Sequence, residues 1–230
     1  MIPIENTLGG RVADMHHLLP ESSLSIIGEH FQAVRHQLLG PAGSSLETLE
    51  TVASHEQGLA QCRDLIRELD VEPMDFGDTA GAAKEAAERN DPTFGAIASS
   101  LAAEIYGLEI LRSRIEDRLG NTTRFVVMSR RAIEPDPREG PAITSLVFQV
   151  RSVPGALYKA LGGFATNGVN ITKLESYIID QSFTVAQFYA EIDGHPADPS
   201  VAMAFEELQF FCSKLRRLGT YPRSPWRESQ

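Results

Sequence analysis

The chain has 230 residues, 42% hydrophobic and 23% charged, a balance that supports packed cores in one large or two modest domains and excludes an intrinsically disordered polymer. Its 31 acidic residues outweigh 21 basic ones, and no Lys/Arg block is interleaved with aromatics, so a nucleic-acid partner is not expected and an anionic ligand would need a local capture site. No apolar run approaches the roughly 18 residues of a membrane span, and "MIPIENTLGG" lacks a basic n-region and an apolar h-region, so no membrane association and a cytoplasmic location are expected.

From the start of the chain a pattern recurs in which an apolar strand ends in a small polar group and a helix begins at once. It occurs at "IPIENT" into "LGGRVADMHHLL", "ETVASH" into "EQGLAQCRDLIREL", "MDFGDT" into "AGAAKEAAERN", and "FGAIASS" into "LAAEIYG". Such alternation predicts an α/β domain with a largely parallel sheet, whose ligands sit beyond the carboxyl ends of the strands. Thr7, Ser54, Thr79 and Ser99 or Ser100 are the expected N-caps. Capping alone accounts for any one of them; four in succession also offer amide dipoles and hydroxyls suited to a carboxylate. Cys62 and Cys212 have no partners at metal-ligand spacing and are read as free thiols packed against helices. Asn121, Thr122, Thr123 and Arg124 then run into "FVVMS", a further strand. Arg124 reads either as a turn residue facing solvent or pairing with Asp117, or as a bidentate fork for a ligand carboxylate with the Thr123 hydroxyl beside it.

"EPDPREGP", residues 134–141, is the expected linker and domain boundary. Beyond it "ITSLVFQV" alternates as a strand with Leu146, Phe148 and Val150 on one face. "PGALYKALGGFATNG" reads as a helix with Pro154 in its first turn and Gly168 as its stop. "VNITKLESYII" and "FTVAQFYAEI" are strands joined by a "DQS" turn, the second carrying Ala186, Phe188, Ala190 and Ile192 on one side. "DPSVAMAFEELQFFCSKLRRLG" reads as an amphipathic helix with a basic last turn, and "TYP" as a short closing strand. The order βαββαβ predicts a ferredoxin-like sandwich with both helices on one face of the sheet.

The segments "PIENTLGG", "SHEQGLAQC", "GDTAGAA", "AIASSLAAEIYGL" and "NTTRF" resemble prephenate dehydratase in order and content, and "PGALYKAL", "NGVNITKLES" and "QFYAEIDGH" resemble that family's regulatory ACT domain. The resemblance covers nearly the whole chain. It implies an α/β fold: a two-lobed catalytic domain like type II periplasmic binding proteins over residues 1–133, the linker, a ferredoxin-like βαββαβ ACT domain over 142–222, and a tail over 223–230. The chain opens inside a family motif: the glycine-rich segment and the strand–helix units before it have no counterpart ahead of Met1, so the first lobe is expected to be N-terminally incomplete.

The resemblance further implies a site between the lobes and no metal or organic cofactor. Its partners would be prephenate as substrate and L-phenylalanine as effector, in a homodimer or homotetramer. Its Thr-Arg-Phe motif falls on Thr123, Arg124 and Phe125, with Thr123 and Arg124 as the catalytic candidates. Glu5, Asn6 and Thr7 fall in its Pro-Ile-Glu-Asn-Ser segment, Thr7 keeping the hydroxyl of the usual serine. Ser54 with His55, Thr79 and Phe125 complete the expected substrate-binding set. The effector candidates are Gly155, Ala156, Leu157, Asn170, Glu175 and Ser176. The family's Glu-Ser-Arg-Pro reads Glu175, Ser176, Tyr177, Ile178 here, which implies altered feedback.

Loss of water and carbon dioxide from prephenate is driven by aromatisation, so the implied task is to hold the ring and help hydroxide leave. A tight grip on the ring carboxylate would oppose its loss, so Arg124 and the helix N-termini are expected at the pyruvyl carboxylate instead. Thr123 would polarise the departing hydroxyl or relay a proton; His55 is a candidate proton source, and Glu5 reads equally well as structural. Without the resemblance the chain reads as an amino-acid-sensing binding protein; with it, an inactive catalytic remnant and an arogenate dehydratase stay open.

Overall fold

The computed structural model describes residues 1–151, 153–178 and 186–228. The expected "DQS" turn at 180–182 lies outside them. The chain forms two compact units, Met1–Gln32 with Thr123–Gln230, and Ala33–Thr122. It passes from one to the other at 32/33 and back at 122/123. Residues 134–141, the expected linker, carry no helix or strand and join two strands of one compact unit.

The first unit opens with β1 (Ile2–Asn6), β2 (Gly10–Arg11), α1 (Ala13–Glu21) and β3 (Ser25–Ala33). β1 and β2 form a hairpin, because the Asn6 side-chain oxygen takes the amides of Leu8 and Gly9 and turns the chain back. The first junction is thereby corrected: the helix begins only at Ala13, and Val12, not Thr7, stands at its N-cap.

The second unit comprises β4 (Gln37–Gly40), β5 (Thr51–Ser54), α2 (Glu56–Ala60), α3 (Arg63–Leu69), β6 (Glu72–Asp75), α4 (Thr79–Arg89), β7 (Phe94–Ala98), α5 (Ser100–Tyr106) and β8 (Glu109–Ser113). Its sheet runs β6-β5-β7-β4-β8. β5 is parallel to β6 and β7, whereas β4 is antiparallel to β7 and β8, so the sheet is mixed rather than largely parallel. Helices cover both faces, which is why β7 is buried along its whole length. On one face Ala82, Ala83, Ala86, Ala102 and Ala103 let α4 and α5 lie close to Ala96 and Ala98; on the other, Cys62 and Leu65 pack with Leu38, Val52 and Ile97. The long helix expected after "ETVASH" is two short ones, α2 and α3, with Gln61 and Cys62 between them.

The chain returns to the first unit with β9 (Thr122–Ser129), then β10 (Ala142–Val150), α6 (Ala156–Thr166), β11 (Ile171–Ile178), β12 (Ala186–Asp193), α7 (Pro199–Phe211) and β13 (Cys212–Pro222), closing in a 3₁₀ turn at Pro225–Glu228. The βαββαβ segment builds the sheet β11-β12-β10-β13. Phe148, Phe188, Phe164, Val201 and Leu208 fill the core beneath α6 and α7 on one of its faces. α6 starts later than expected: Gly155 adopts a left-handed φ of 72°, so Pro154 precedes the helix rather than opening it. α7 stops at Phe211, and "CSKLRRLGTYP" is one 11-residue strand. Cys212 and Leu215 suit a helix by spacing, but β10 needs a partner along its whole exposed edge, and β13 pairs with it from Val150 to Ala142.

The other face of this sheet is covered too. A second sheet of the same unit, β2-β1-β9-β3, lies against it, and Ile4, Leu19, Ile26, Val126, Val147, Tyr189 and Tyr221 form the core between them. At Gly219 the backbone of β3 comes so close that a Cβ would stand 1.9 Å from the Ile26 carbonyl oxygen. The expected C-terminal tail is built in as well: Trp226 stacks on Phe31 with centroids 4.2 Å apart and rings 10° from parallel.

Candidate functional site

In the first unit the site residues are ordered by the pleat. Successive side chains on a strand point to opposite faces, so Thr123 and Phe125 project from one face of β9 and Arg124 from the other. Asn6 lies opposite Thr123 across the β1–β9 ladder, and Glu5 lies opposite Arg124. The Asn6 amide nitrogen donates to Thr123 Oγ1 at 3.0 Å. Because Asn6 Oδ1 already accepts from Leu8 and Gly9, the amide cannot flip, and it must present its NH₂ to the threonine. The half-buried hydroxyl thus accepts from Asn6 and keeps its own O–H as a donor.

Arg124 is 3% exposed. Its guanidinium donates to Glu5 Oε1 at 2.8 Å, Glu29 Oε2 at 2.9 Å and the Tyr221 hydroxyl at 3.2 Å, and it lies 2.9 Å from Glu191 Oε2. The expectation that Arg124 offers an open fork to a ligand carboxylate, or faces solvent or Asp117, is corrected: three protein carboxylates occupy it on the face away from Thr123. Of its two readings Glu5 takes the structural one here, since its second oxygen accepts from Lys173 at 2.5 Å. Burial pushes the Glu5 and Glu29 carboxyls up. For Glu5 the hydrogen bonds and charges of Lys173 and Arg124 outweigh that, and for Glu29 those of Arg227 and Arg124, so both lie below the ordinary value.

In the second unit three helices open at the carboxyl ends of the parallel strands β5, β6 and β7, whose registers bring Ser54 level with Asp75 and Ala53 level with Ala96. His55, Thr79 and Ser99 gather along that edge, but not all in the expected roles. His55, not Ser54, caps α2, its Nδ1 accepting from the Gln57 amide at 3.1 Å. Ser54 is fully buried and donates to the Ile97 carbonyl at 2.7 Å, tying β5 to β7, so its hydroxyl serves the sheet. Asp78, not Thr79, caps α4, accepting from the Gly81 amide at 2.7 Å. Ser99 caps α5 as expected.

Near the start of α6 a cleft of about 680 Å³ is lined by Val153, Gly155, Ala156, Leu157, Ala186 and Ser213, among others. It gathers the first three effector candidates. Asn170, Glu175 and Ser176 do not line it: Asn170 donates to Asp193, Glu175 pairs with Lys173 and Arg11, and Ser176 sits within the β11–β12 ladder. Tyr177, where the resemblance implies an arginine, is buried, and its hydroxyl accepts from Gln187 at 2.7 Å.

Glu29, Tyr189, Glu191, Tyr221 and Arg227 were not anticipated as neighbours of Arg124. The available signal was the second face of β12, where Gln187, Tyr189 and Glu191 alternate with the apolar set; a polar face with a bulky aromatic reads as solvent-facing unless a second sheet covers it. Among the described residues no group of His, Cys, Asp or Glu could hold a metal, and no helix is long and apolar enough to cross a membrane. Cys62 and Cys212 are both free and buried; burial pushes the Cys62 thiol up to about 12.

A mixed sheet with helices on both faces, in one chain with a βαββαβ sandwich, defines the chain as an α/β protein. The sequence model described as prephenate dehydratase matches residues 1–133. The chain is 50% identical over 228 residues, 99% of its length and 81% of the relative's, to a bifunctional N-acyl-homoserine lactone acylase/prephenate dehydratase of Komagataeibacter europaeus. It is 39% identical to the chloroplastic arogenate dehydratase/prephenate dehydratase 2 of Arabidopsis thaliana, covering 96% of this chain and 60% of that protein. Its fold matches a crystal structure of prephenate dehydratase from Arthrobacter aurescens in complex with L-Phe, with a TM-score of 0.86 and 31% identity over 96% of this chain and 74% of that one. The chain belongs to the prephenate dehydratase family.

Proposed function

We propose that the protein converts prephenate to phenylpyruvate, and that residues 142–222 are an ACT domain through which L-phenylalanine regulates it. The observation that carries the catalytic reading is the Asn6–Thr123 bond, which holds a hydroxyl at one orientation with its proton available. In the reaction the C–C bond to the ring carboxylate breaks and releases carbon dioxide. Its electron pair completes the aromatic ring, and the ring C–O bond breaks with its electrons on the departing hydroxide, which takes up one proton to leave as water. Thr123 donates its hydrogen bond to that oxygen as charge develops there, a stabilisation present mainly in the transition state. A threonine hydroxyl is too weak an acid to supply the proton outright at neutral pH, so it polarises the leaving group or relays a proton from solvent. Taken by itself, the edge of the second unit where α2, α4 and α5 begin gathers helix-start amides suited to an anion.

Purified protein incubated with prephenate, with phenylpyruvate read by its absorbance in alkali, tests this. Thr123→Ala is expected to lose about 100-fold or more in kcat, and Thr123→Ser to retain most of it, because the donor is kept. Undiminished turnover by folded Thr123→Ala sinks the mechanism; phenylalanine binding without any turnover favours the sensor reading, and neither favours a remnant. Arogenate in parallel decides between the keto and amino substrates, a choice raised by the names of the plant relatives. An N-acyl-homoserine lactone in the same series tests the second activity that the 50%-identical relative's name carries. The L-Phe complex of the Arthrobacter relative supports L-phenylalanine as the effector, and the cleft at Gly155–Leu157 is the place we propose for it.

A further inference from the structure

Between the two sheets of the first unit lies a buried ionic cluster spanning most of the sequence. Arg124 on β9 meets Glu5 on β1, Glu29 on β3 and Glu191 on β12. Arg227, in the C-terminal turn, bridges two of them, donating to both oxygens of Glu29 at 2.9 Å and to Glu191 Oε2 at 3.0 Å. The Tyr189 hydroxyl donates to the remaining Glu191 oxygen at 2.5 Å. Lys173 completes the set at Glu5, so that Glu5, Glu29 and Glu191 balance Arg124, Arg227 and Lys173. Both Glu29 and Glu191 side chains have 0% exposure.

Stability alone is a poor reason for such a cluster, since apolar residues of equal volume often stabilise a core as well or better. Directional bonds do something that apolar contacts cannot: they set where one strand stands against another. Arg124 is the residue after Thr123, and its guanidinium is gripped from β1, β3, β12 and β13 together, so a shift of β9 that moved Thr123 would break several charged bonds at once. We propose that Glu191 and Arg227 are positioning residues for the dehydration, acting through Arg124 to hold Thr123 at its working place. The proposal rests on the catalytic reading of Thr123. It also gives regulation a physical handle, because β12 and β13, which hold Arg124 through Glu191 and Tyr221, contribute Ala186 and Ser213 to the effector cleft.

The test compares Glu191→Gln, Arg227→Gln and the double variant with the wild type in the full chain, measuring kcat, KM and thermal midpoint. Each single change unbalances the buried charge and is expected to lower both the midpoint and kcat. The double change restores the balance with two carboxylates against two cations. A positioning role predicts that its midpoint returns towards the wild type while kcat stays about 10- to 100-fold low, with KM little altered, as expected for misplacement of a catalytic group. Recovery of kcat together with the midpoint, or full kcat in either folded single variant, overturns the inference and leaves the dehydratase reading intact. A wild type that does not turn over prephenate sinks both.

Discussion

A single side-chain amide decides what Thr123 can do. Asn6 has one acceptor and two donors, and its turn claims the acceptor twice, so only donors remain for the neighbouring strand. Asn6→Ala removes both the turn bonds and the contact to Thr123. We expect kcat to fall by about 10-fold, the worth of one hydrogen bond felt in the transition state, with KM for prephenate nearly unchanged. Steady-state kinetics beside Thr123→Ser check this; equal losses in kcat and in substrate affinity would point to a binding role instead. Arg124 shows the opposite limit. Its residue type suits a ligand carboxylate, and its place next to Thr123 suggests a shared task, but adjacent residues of a strand face opposite ways. The pairing was legible in the sequence; which of the two faces meets the protein's own carboxylates was not.

At the scale of elements, β13 carries the clearest consequence. Its Gly219 lies against the backbone of β3, and a Cβ there would overlap the Ile26 carbonyl oxygen. Neither backbone can yield without disturbing a sheet, so Gly219→Ala is expected to destabilise the protein by about 2 kcal/mol or more, measurable by denaturant unfolding. An unchanged midpoint would show that β3 and β13 do not approach so closely. β13 also marks where local pattern and tertiary demand compete. "CSKLRRL" offers spacing for either a helix or a strand, and the unpaired edge of β10 selects the strand. The helix caps follow a related rule. Junctions with a polar residue at the strand end were visible, yet in two of them the capping atom belongs to the next or preceding side chain, His55 and Asp78, because capping depends on where the first helical amides point.

Across the whole molecule the charge cluster makes stability depend on acidity. The Glu5 and Glu29 carboxyls have folded-state values below the ordinary 4.5. Groups so depressed contribute stability that is fully present above the unfolded value and is lost as pH falls through the folded one. Thermal midpoints are therefore expected to stay level from neutrality to about pH 5 and to drop steeply below 4.5, with a shallower acid limb in Glu5→Gln. A limb of the same slope in that variant would exclude Glu5 as a contributor. The chain's two crossings between units make Thr123 the first residue after the return, so the proposed catalytic strand belongs to the unit that carries the βαββαβ sandwich.

Periodicity, turn chemistry and motif order were enough to read the strand–helix alternation, the βαββαβ order and the family resemblance, because these depend on neighbours within a few residues. The covering of the sandwich's second face, the enclosure of Arg124 and the anchoring of the C-terminal turn were decided only in three dimensions. Each depends on residues as distant in sequence as Glu5, Glu29, Glu191 and Arg227 meeting in one place, and a polar side chain bears no local mark of whether water or an opposite charge will face it.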